Sequence, residues 1–451
     1  MTVNDTADDE THLHSPPPTV PESNAFTIRV DGEELPAHET PVAAYALFDF
    51  EGSVDVVIEC ARGIDDPVVR PLSRGIDPDV TGETLRFSLD RPAKVSVEPD
   101  DDRRGPLFLF ARRPDTEVPD PADEDVRFFA AGEVHHPAVI EPAPGETIYI
   151  EGGAVVRGRI DARDADGVGL RGRGVLDGND LGAHGDPMVR LLRCESARLD
   201  GVTVLNGHDP DGWTVVPIEC DDLHVRDLNV IGWSDNDDGL DVVGCQDVTI
   251  EDYFARTKDD PLVVKATAKA SPEGEAAGRR DVRDVRVENA TVWNAEWGNA
   301  LEIGFETVTD EISGVVFTEC DVIHAERENW GAGGTFTIHN GDRAHVHDVT
   351  YDDVRIEDAP GKLIDQKVLE SRYSVDEERG RITDVRFRDI AVVDGPFPPS
   401  IMQGYDAEHV IDDVTIENFT DRGDRLTSAD DARLILEKAH CEFGSGDDDG
   451  R

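Results

Sequence analysis

One phrase returns eight times along this chain, and it constrains the fold more than any other feature. Between about Val134 and Thr420 stand “ARLDGVTVLN”, “DDLHVRDLNV”, “QDVTIEDYFA”, “RDVRVENATV”, “SGVVFTECDV”, “HDVTYDDVRI”, “TDVRFRDIAV” and “DDVTIENFT”. Each pairs two short runs of alternating apolar residues through a polar bend, and the copies recur at roughly 20 to 37 residues. A unit this short cannot bury its apolar face alone, so the copies must stack into a solenoid. Helical periodicity is almost absent between them, and leucine-rich, ankyrin and tetratricopeptide patterns do not fit. An all-β chain wound as a parallel β-helix does, with shortest coils of about 21 residues and loops of variable length inserted on one side.

Upstream, “FTIRV”, “VDVVIEC”, “LRFSL” and “KVSVE” alternate with period 2 and are broken by Gly, Pro and Asp turns, the pattern of a small β-sandwich. The expected organisation of the 451 residues is a disordered segment at 1–24, a sandwich and linker at 25–130, the β-helix as catalytic domain at 131–440 and a disordered tail at 441–451. A solenoid needs its ends covered. The sandwich is expected to cover the first coil, and “SADDARLILEKAH”, with Ser428 as helix N-cap, the last.

The chain carries 44 basic and 98 acidic residues, a net charge of −54. That argues against nucleic acid as a partner. Spread along the whole chain, it reads as solvation for a salt-rich cytoplasm, where molar salt shrinks charge repulsion to a range of about 3 Å. No signal-peptide pattern, twin arginine or long apolar run is seen, so a cytoplasmic protein without membrane partners is expected. Six cysteines without a C-x-x-C pair suit neither a disulfide scaffold nor a zinc ribbon, and the spacing of Cys194, Cys220 and Cys245 suggests stacking on one face.

The stretch “DNDDGLDVVGCQDVTIEDYFARTKDD”, Asp235 to Asp260, concentrates carboxylates. Asp238 and Asp259 are 21 residues apart, one short coil, so Asp238 and the pair Asp259–Asp260 belong on adjacent coils. Strand spacing sets about 4.8 Å along the axis, and lateral offset would bring the carboxyl groups toward the roughly 6.5–9.5 Å of an inverting glycosidase. Three crowded carboxylates raise the pKa of at least one, so the patch supplies both an acid and a base. Neighbouring strand residues face opposite ways, so both Asp259 and Asp260 reach one cleft only from a bend, with which Pro261 is compatible. In so acidic a chain a plain solvated turn is the alternative. An EF-hand is not: with Gly239 as its sixth residue, its first and twelfth positions fall on Ser234 and Cys245.

Together, “NDDGLD”, “KDDPLVVKA” and “GNALEIG” resemble the active-site series of glycoside hydrolase family 28, the polygalacturonases: N-T-D-G, G-D-D, G-H-G-L-S-I-G, then R-I-K, on a right-handed parallel β-helix. Asn236, Asp238 and Gly239 match the first signature; Asp259 and Asp260 match the second, with Lys258 for its glycine. Gly298, Leu301, Ile303 and Gly304 match the third, with Asn299 for its histidine and Glu302 for its serine. “FTIHN” aligns with the fourth, placing Thr337 and His339 where arginine and lysine would hold a galacturonate carboxylate. The resemblance implies an inverting hydrolase in which Asp259 is the general acid and Asp238 and Asp260 activate water. It implies the chemistry more strongly than the substrate, because the charge-assisted pairing of the carboxylate is gone. A sandwich before a three-aspartate β-helix is also similar to glycoside hydrolase family 49, which acts on neutral glucans. A neutral or singly charged oligosaccharide is therefore expected in preference to polygalacturonate.

All five tryptophans, Trp213, Trp233, Trp293, Trp297 and Trp330, bracket these motifs, and flat rings suit a sugar groove. Trp233 and Trp297 are the strongest candidates, against packing between loops as the alternative. Asn236, Asn299, Glu302 and His339 complete the expected substrate contacts, with Lys265 as contact or counter-ion and Lys367, Arg372 and Tyr373 of “DQKVLESRYS” as further cleft residues. No metal or cofactor is expected. His345 and His347 lack a carboxylate ligand set, and “GLRGRGVLDG” lacks the strand-then-helix setting of a phosphate loop. Two other readings stay open: a polysaccharide lyase or epimerase with Lys265 as its base, and a non-catalytic carbohydrate-binding β-helix.

The charge generates its own test. Folding is expected to need molar salt, with partial or complete unfolding in dilute buffer. A melting temperature indifferent to potassium chloride would contradict it.

Overall fold

The computed structural model describes residues 11–100, 103–179, 186–207, 212–269, 271–272, 276–327 and 333–444. It divides into two compact units, one of residues up to 136 with 149–156 and 172–176, the other of 137–148, 157–171 and the chain from 177.

The first unit holds two sheets that share one core. Phe26–Val30, Val54–Cys60 and Thr84–Leu89 lie in a five-stranded antiparallel sheet; Ala44–Phe50, Ala93–Glu98 and Leu107–Arg112 lie in a six-stranded one. Ile28, Val56 and Leu85 from one sheet and Phe48, Val95 and Leu109 from the other are buried in a single cluster, as period-2 alternation requires of a sandwich. The expected disordered head begins its order earlier than Ala25: Thr11–Leu13 pairs antiparallel with Phe48–Phe50.

The second unit is a parallel β-helix with three strands per coil. One ladder runs through Val189–Leu192, Val215–Ile218, Leu240–Val243, Leu262–Ala266, Leu301–Thr307, Gly334–Asn340, Lys362–Val368, Ser400–Gln403 and Leu434–Glu437. A second contains Asp221–Arg226, Gln246–Glu251, Val282–Glu288 and Glu311–Thr318, and a third Asn229–Gly232, Phe254–Thr257 and Thr291–Asn294. Inward residues stack coil on coil: Val242, Val264, Ile303 and Ile338 occupy successive rungs, and Phe317, Tyr351 and Phe387 stack with centroids 5.1 Å apart. Cys194, Cys220 and Cys245 do stack, each fully buried.

The polar residues of the repeated phrase make its bends. Asp222, Asp247, Asp284, Asp348, Asp384 and Asp413 open the second-ladder strands with φ between 51° and 55°. Asp227, Asp252, Asn289, Asp353, Asp389 and Asn418 turn the chain out of them at φ between 50° and 55°. This left-handed conformation costs most side chains about 1–2 kcal/mol and is tolerated best by Gly, Asn and Asp. “D-V-T-I-E-D” is thus one strand with its two corners.

The C-terminal helix is not formed. Ser428 Oγ accepts the Asp431 amide at 3.2 Å, but only turns follow, and Leu434–Glu437 pairs with Ser400–Gln403 instead. Local capping loses to the open edge of the ladder. Ala439–Phe443 likewise pairs with the Ile411–Asp421 strand, so order reaches past 441.

Asp247 is exposed, with φ 54°. Asp247→Val should lower unfolding free energy by about 1–2 kcal/mol, while Asp247→Asn leaves it within about 0.5 kcal/mol. Equal stability of the Val variant in denaturant melts would refute this account of the repeat.

Candidate active site

The aspartates occupy the corner where each coil passes from the third ladder to the first. Leu240 pairs with Leu262, and Val263 with Glu302. Counting back two residues along each strand, Asp238, Asp260 and Asn299 fall in one column, and Asp237, Asp259 and Gly298 in the next. Asp259 and Asp260 lie in a bend before Pro261, so both reach the same spot. One carboxylate oxygen from each of Asp238, Asp259 and Asp260 lies within 4.8 Å of the others. This is tighter than the expected 6.5–9.5 Å, because the register stacks Asp260 on Asp238 without the lateral offset that was assumed.

Each member is held by a fixed donor. Lys265 Nζ lies 3.0 Å from Asp238 Oδ2 and 2.7 Å from Asp241 Oδ1, over the Trp213 ring at 4.0 Å. Asn299 donates its backbone N–H (2.6 Å) and side-chain Nδ2 (3.3 Å) to Asp260 Oδ1, and its own Oδ1 accepts the Gly333 amide. The peptide of Asp259 is clamped at its oxygen by Thr257 Oγ1 and Asn294 Nδ2, both at 2.8 Å. Gly298 closes the corner at φ +70°, and a Cβ there would stand 2.4 Å from Asp259 Oδ1.

Burial dominates the electrostatics. It lifts Asp259 to about 7, with the Asp238 charge adding and Lys265 and Arg327 subtracting. Burial, then Asp238, Asp259 and Glu302, push Asp260 well above the carboxylate range. Lys265 is opposed by burial, yet Asp238, Asp241, Glu306 and Asp260 hold it firmly protonated. Among the described residues these three aspartates are the set close enough to share a cation. With two of them favoured as neutral acids and Asp238 already countered by an ammonium, they are poor ligands for one.

The remaining expected contacts divide. Trp297 is 44% exposed beside the aspartates, with the Arg327 guanidinium 6.0 Å from its ring centre. Trp233 is half-buried against Gly207, and Asn236 half-buried in the same corner. Arg372 lies over Tyr373, which packs on Lys269; Lys269 in turn pairs with Glu306, so this group flanks the site. Asn299 is buried and positions Asp260, so it holds a carboxylate where a sugar contact was expected. Glu302 and His339 are fully buried and face each other at 2.9 Å, which removes them from reach of a sugar. Trp293 is core, its Nε1 donating to Glu326 at 2.7 Å. Trp330 lies outside the described residues. Lys367 pairs with Asp365 at 2.8 Å.

Asp241 and Arg327 were missed. Asp241 is an outward strand position one rung from Lys265, legible once the register is known. Arg327 stands two residues past the Asp321–Ala325 strand, outside the alternation of the repeated phrase.

No curated protein sequence matches the chain. Among solved structures, a hyperthermoactive exopolygalacturonase from Thermotoga maritima is 14% identical with a TM-score of 0.52, over 70% of this chain and 84% of that one. Dex49A from Penicillium minioluteum is 12% identical with a TM-score of 0.53, over 96% of each chain. At such identities these likenesses speak for the β-helical fold alone. The sequence profile of the glycosyl hydrolases family 28 matches residues 153–418, more than half of the chain. The chain belongs to this family and is a β-helical glycoside hydrolase.

Proposed function

We propose that this hydrolase cleaves an O-glycosidic bond of an oligo- or polysaccharide with inversion, through Asp238, Asp259 and Asp260. The observation that carries the reading is the convergence of three differently held carboxylates within 4.8 Å. Asp259, poised at about 7, donates its proton to the leaving oxygen as the C–O bond breaks. Asp238, the member in contact with the Lys265 ammonium, takes the proton of the attacking water. Asp260, fixed through Oδ1 by Asn299, orients that water with its other oxygen. Inversion rests on this division and on the family resemblance. The carboxylate separation does not carry it, since it came out short.

The Trp297 ring offers a platform for a sugar face. The Arg327 guanidinium places one positive charge beside Asp259 and the exposed Trp297 ring, enough to balance one anionic group. That suits a neutral or singly charged oligosaccharide. A lyase would need Lys265 as a neutral base, and two carboxylates within 3.0 Å oppose its deprotonation.

Asp259→Asn and Asp238→Asn should each lower turnover at least about 10²-fold with folding retained. Because Asp259 must be protonated, wild-type activity should fall as pH rises through about 7, and the Asn variant should lack that limb. Proton NMR of the first-formed product should show the inverted anomer. Near-wild-type turnover in either variant, or net retention, would overturn the assignment.

A further inference from the structure

Next to the base stands a carboxyl group that the mechanism does not use. Asp237 is fully buried. Its Oδ1 accepts two consecutive amides of the following coil, Lys258 N at 2.7 Å and Asp259 N at 3.1 Å. Its Oδ2 is buried and has no hydrogen-bond partner among the described residues, and a Cβ on Gly232 would lie 2.2 Å from it. The carbonyl of that glycine accepts Arg256 Nη1 at 2.8 Å, so the wall behind Oδ2 is itself fixed. Asp237 occupies the position of the threonine in the N-T-D-G signature.

We infer that Asp237 is a positioning residue that ties the acid to the base, by holding the peptide of Asp259 from the residue adjoining Asp238. The inference rests on the reading of Asp259 and Asp238 above. Consider how the corner is anchored. The carbonyl of Asp259 is held from its own coil by Thr257 and from the next coil by Asn294. The N–H of Asp259 and that of Lys258 are held from the preceding coil by one atom, Asp237 Oδ1. Among the described residues, Asp237 is the group that sets the height of this bend above Asp238 through those amides. Residues 237 and 238 are consecutive, so a shift of one peptide moves base and anchor together. A misplacement of about 1 Å at reacting groups can cost about 10²-fold in rate.

The two oxygens are unequal. Oδ1 faces two donors, and Oδ2 lies against Gly232. Burial, with the Asp238 charge beside it, favours the neutral acid, against the pull of the two amides and Arg256. An amide side chain therefore reproduces the required acceptor, with its NH₂ in the place of Oδ2.

The test uses the full-length protein. Asp237→Asn should keep kcat within about threefold. Asp237→Ala should lower kcat at least about 10²-fold with KM changed less than threefold, and should move the basic limb of the kcat–pH profile, since Asp259 would no longer sit at its fixed distance from Asp238, Asp260, Lys265 and Arg327. Gly232→Ala, which crowds Oδ2 without removing the acceptor, should lower kcat in the same direction and covers the case of an Ala variant that fails to fold. Independently of any substrate, amide exchange at Lys258 and Asp259 should quicken at least tenfold in Asp237→Ala or Gly232→Ala and stay at the wild-type rate in Asp237→Asn. Unchanged exchange in both destabilised variants, or an Asn variant as impaired as the Ala one, overturns the inference. A wild-type protein that hydrolyses no oligosaccharide would sink the functional reading instead, and the exchange measurement would still decide whether Asp237 pins the bend.

Discussion

Backbone register in a parallel ladder is the constraint from which the site follows. Each coil lies about 4.8 Å above the last, and pairing of Leu240 with Leu262 leaves Asp238 and Asp260 no freedom to separate sideways. Two carboxyl groups forced into such a column and buried cannot both ionise cheaply. The column is relieved in two ways. A proton is retained on Asp259 or Asp260, and an ammonium, Lys265, is inserted beside Asp238. A protonated carboxyl, an ion-paired carboxylate and their counter-ion are therefore one solution to a packing problem, and it is the combination that the proposed hydrolysis would use.

Lys265 connects this local problem to its surroundings. It reaches Asp238 and Asp241 on the preceding coil and feels the charge of Glu306, while Trp213 covers its Nζ. A cation so enclosed is more useful as a fixed charge than as a proton carrier. Its position explains why an acidic corner can be buried: each buried carboxylate there is neutral, paired, or bonded to backbone amides. The large negative charge of the chain plays no part in this, since it lies on exposed bends such as Asp222 and Asp247.

Much of this was legible in the sequence, for identifiable reasons. Asp and Asn at left-handed corners recur at a fixed offset from apolar alternation, so the coil could be read without knowing any contact. The 21-residue interval between Asp238 and Asp259 then placed the aspartates on neighbouring coils. What the sequence did not carry was lateral register and side-chain burial. The carboxylate spacing was overestimated for want of the first. Glu302 and His339 were assigned to the cleft, and Trp293 was left open between cleft and packing, for want of the second: polar or aromatic residues on a strand alternate alike whether the outward face meets water or a covering loop. The expected helix after Ser428 failed because “LILE” could complete a ladder, a tertiary demand that outweighs one N-cap bond.

The departures from the family signatures make sense as a set. Glu302 and His339 stand where serine and lysine would, on adjacent coils, and they bond to each other. His339 also lies 3.3 Å from Asp365, which pairs in turn with Lys362 at 3.1 Å and Lys367 at 2.8 Å. Burial opposes a charged His339, yet Glu302 and Asp365 on its two sides raise it to about 9. Loss of one member would strand a buried charge, at a cost of about 3–5 kcal/mol, so the five residues form one internal, neutralised network. Arg327, two residues past the Asp321–Ala325 strand, stands apart from it as a guanidinium whose charge acts on Asp259 and which lies near the Trp297 ring. The ladder register that stacks the aspartates is thus independent of the segment bearing Arg327, where length and sequence can vary without disturbing the columns below.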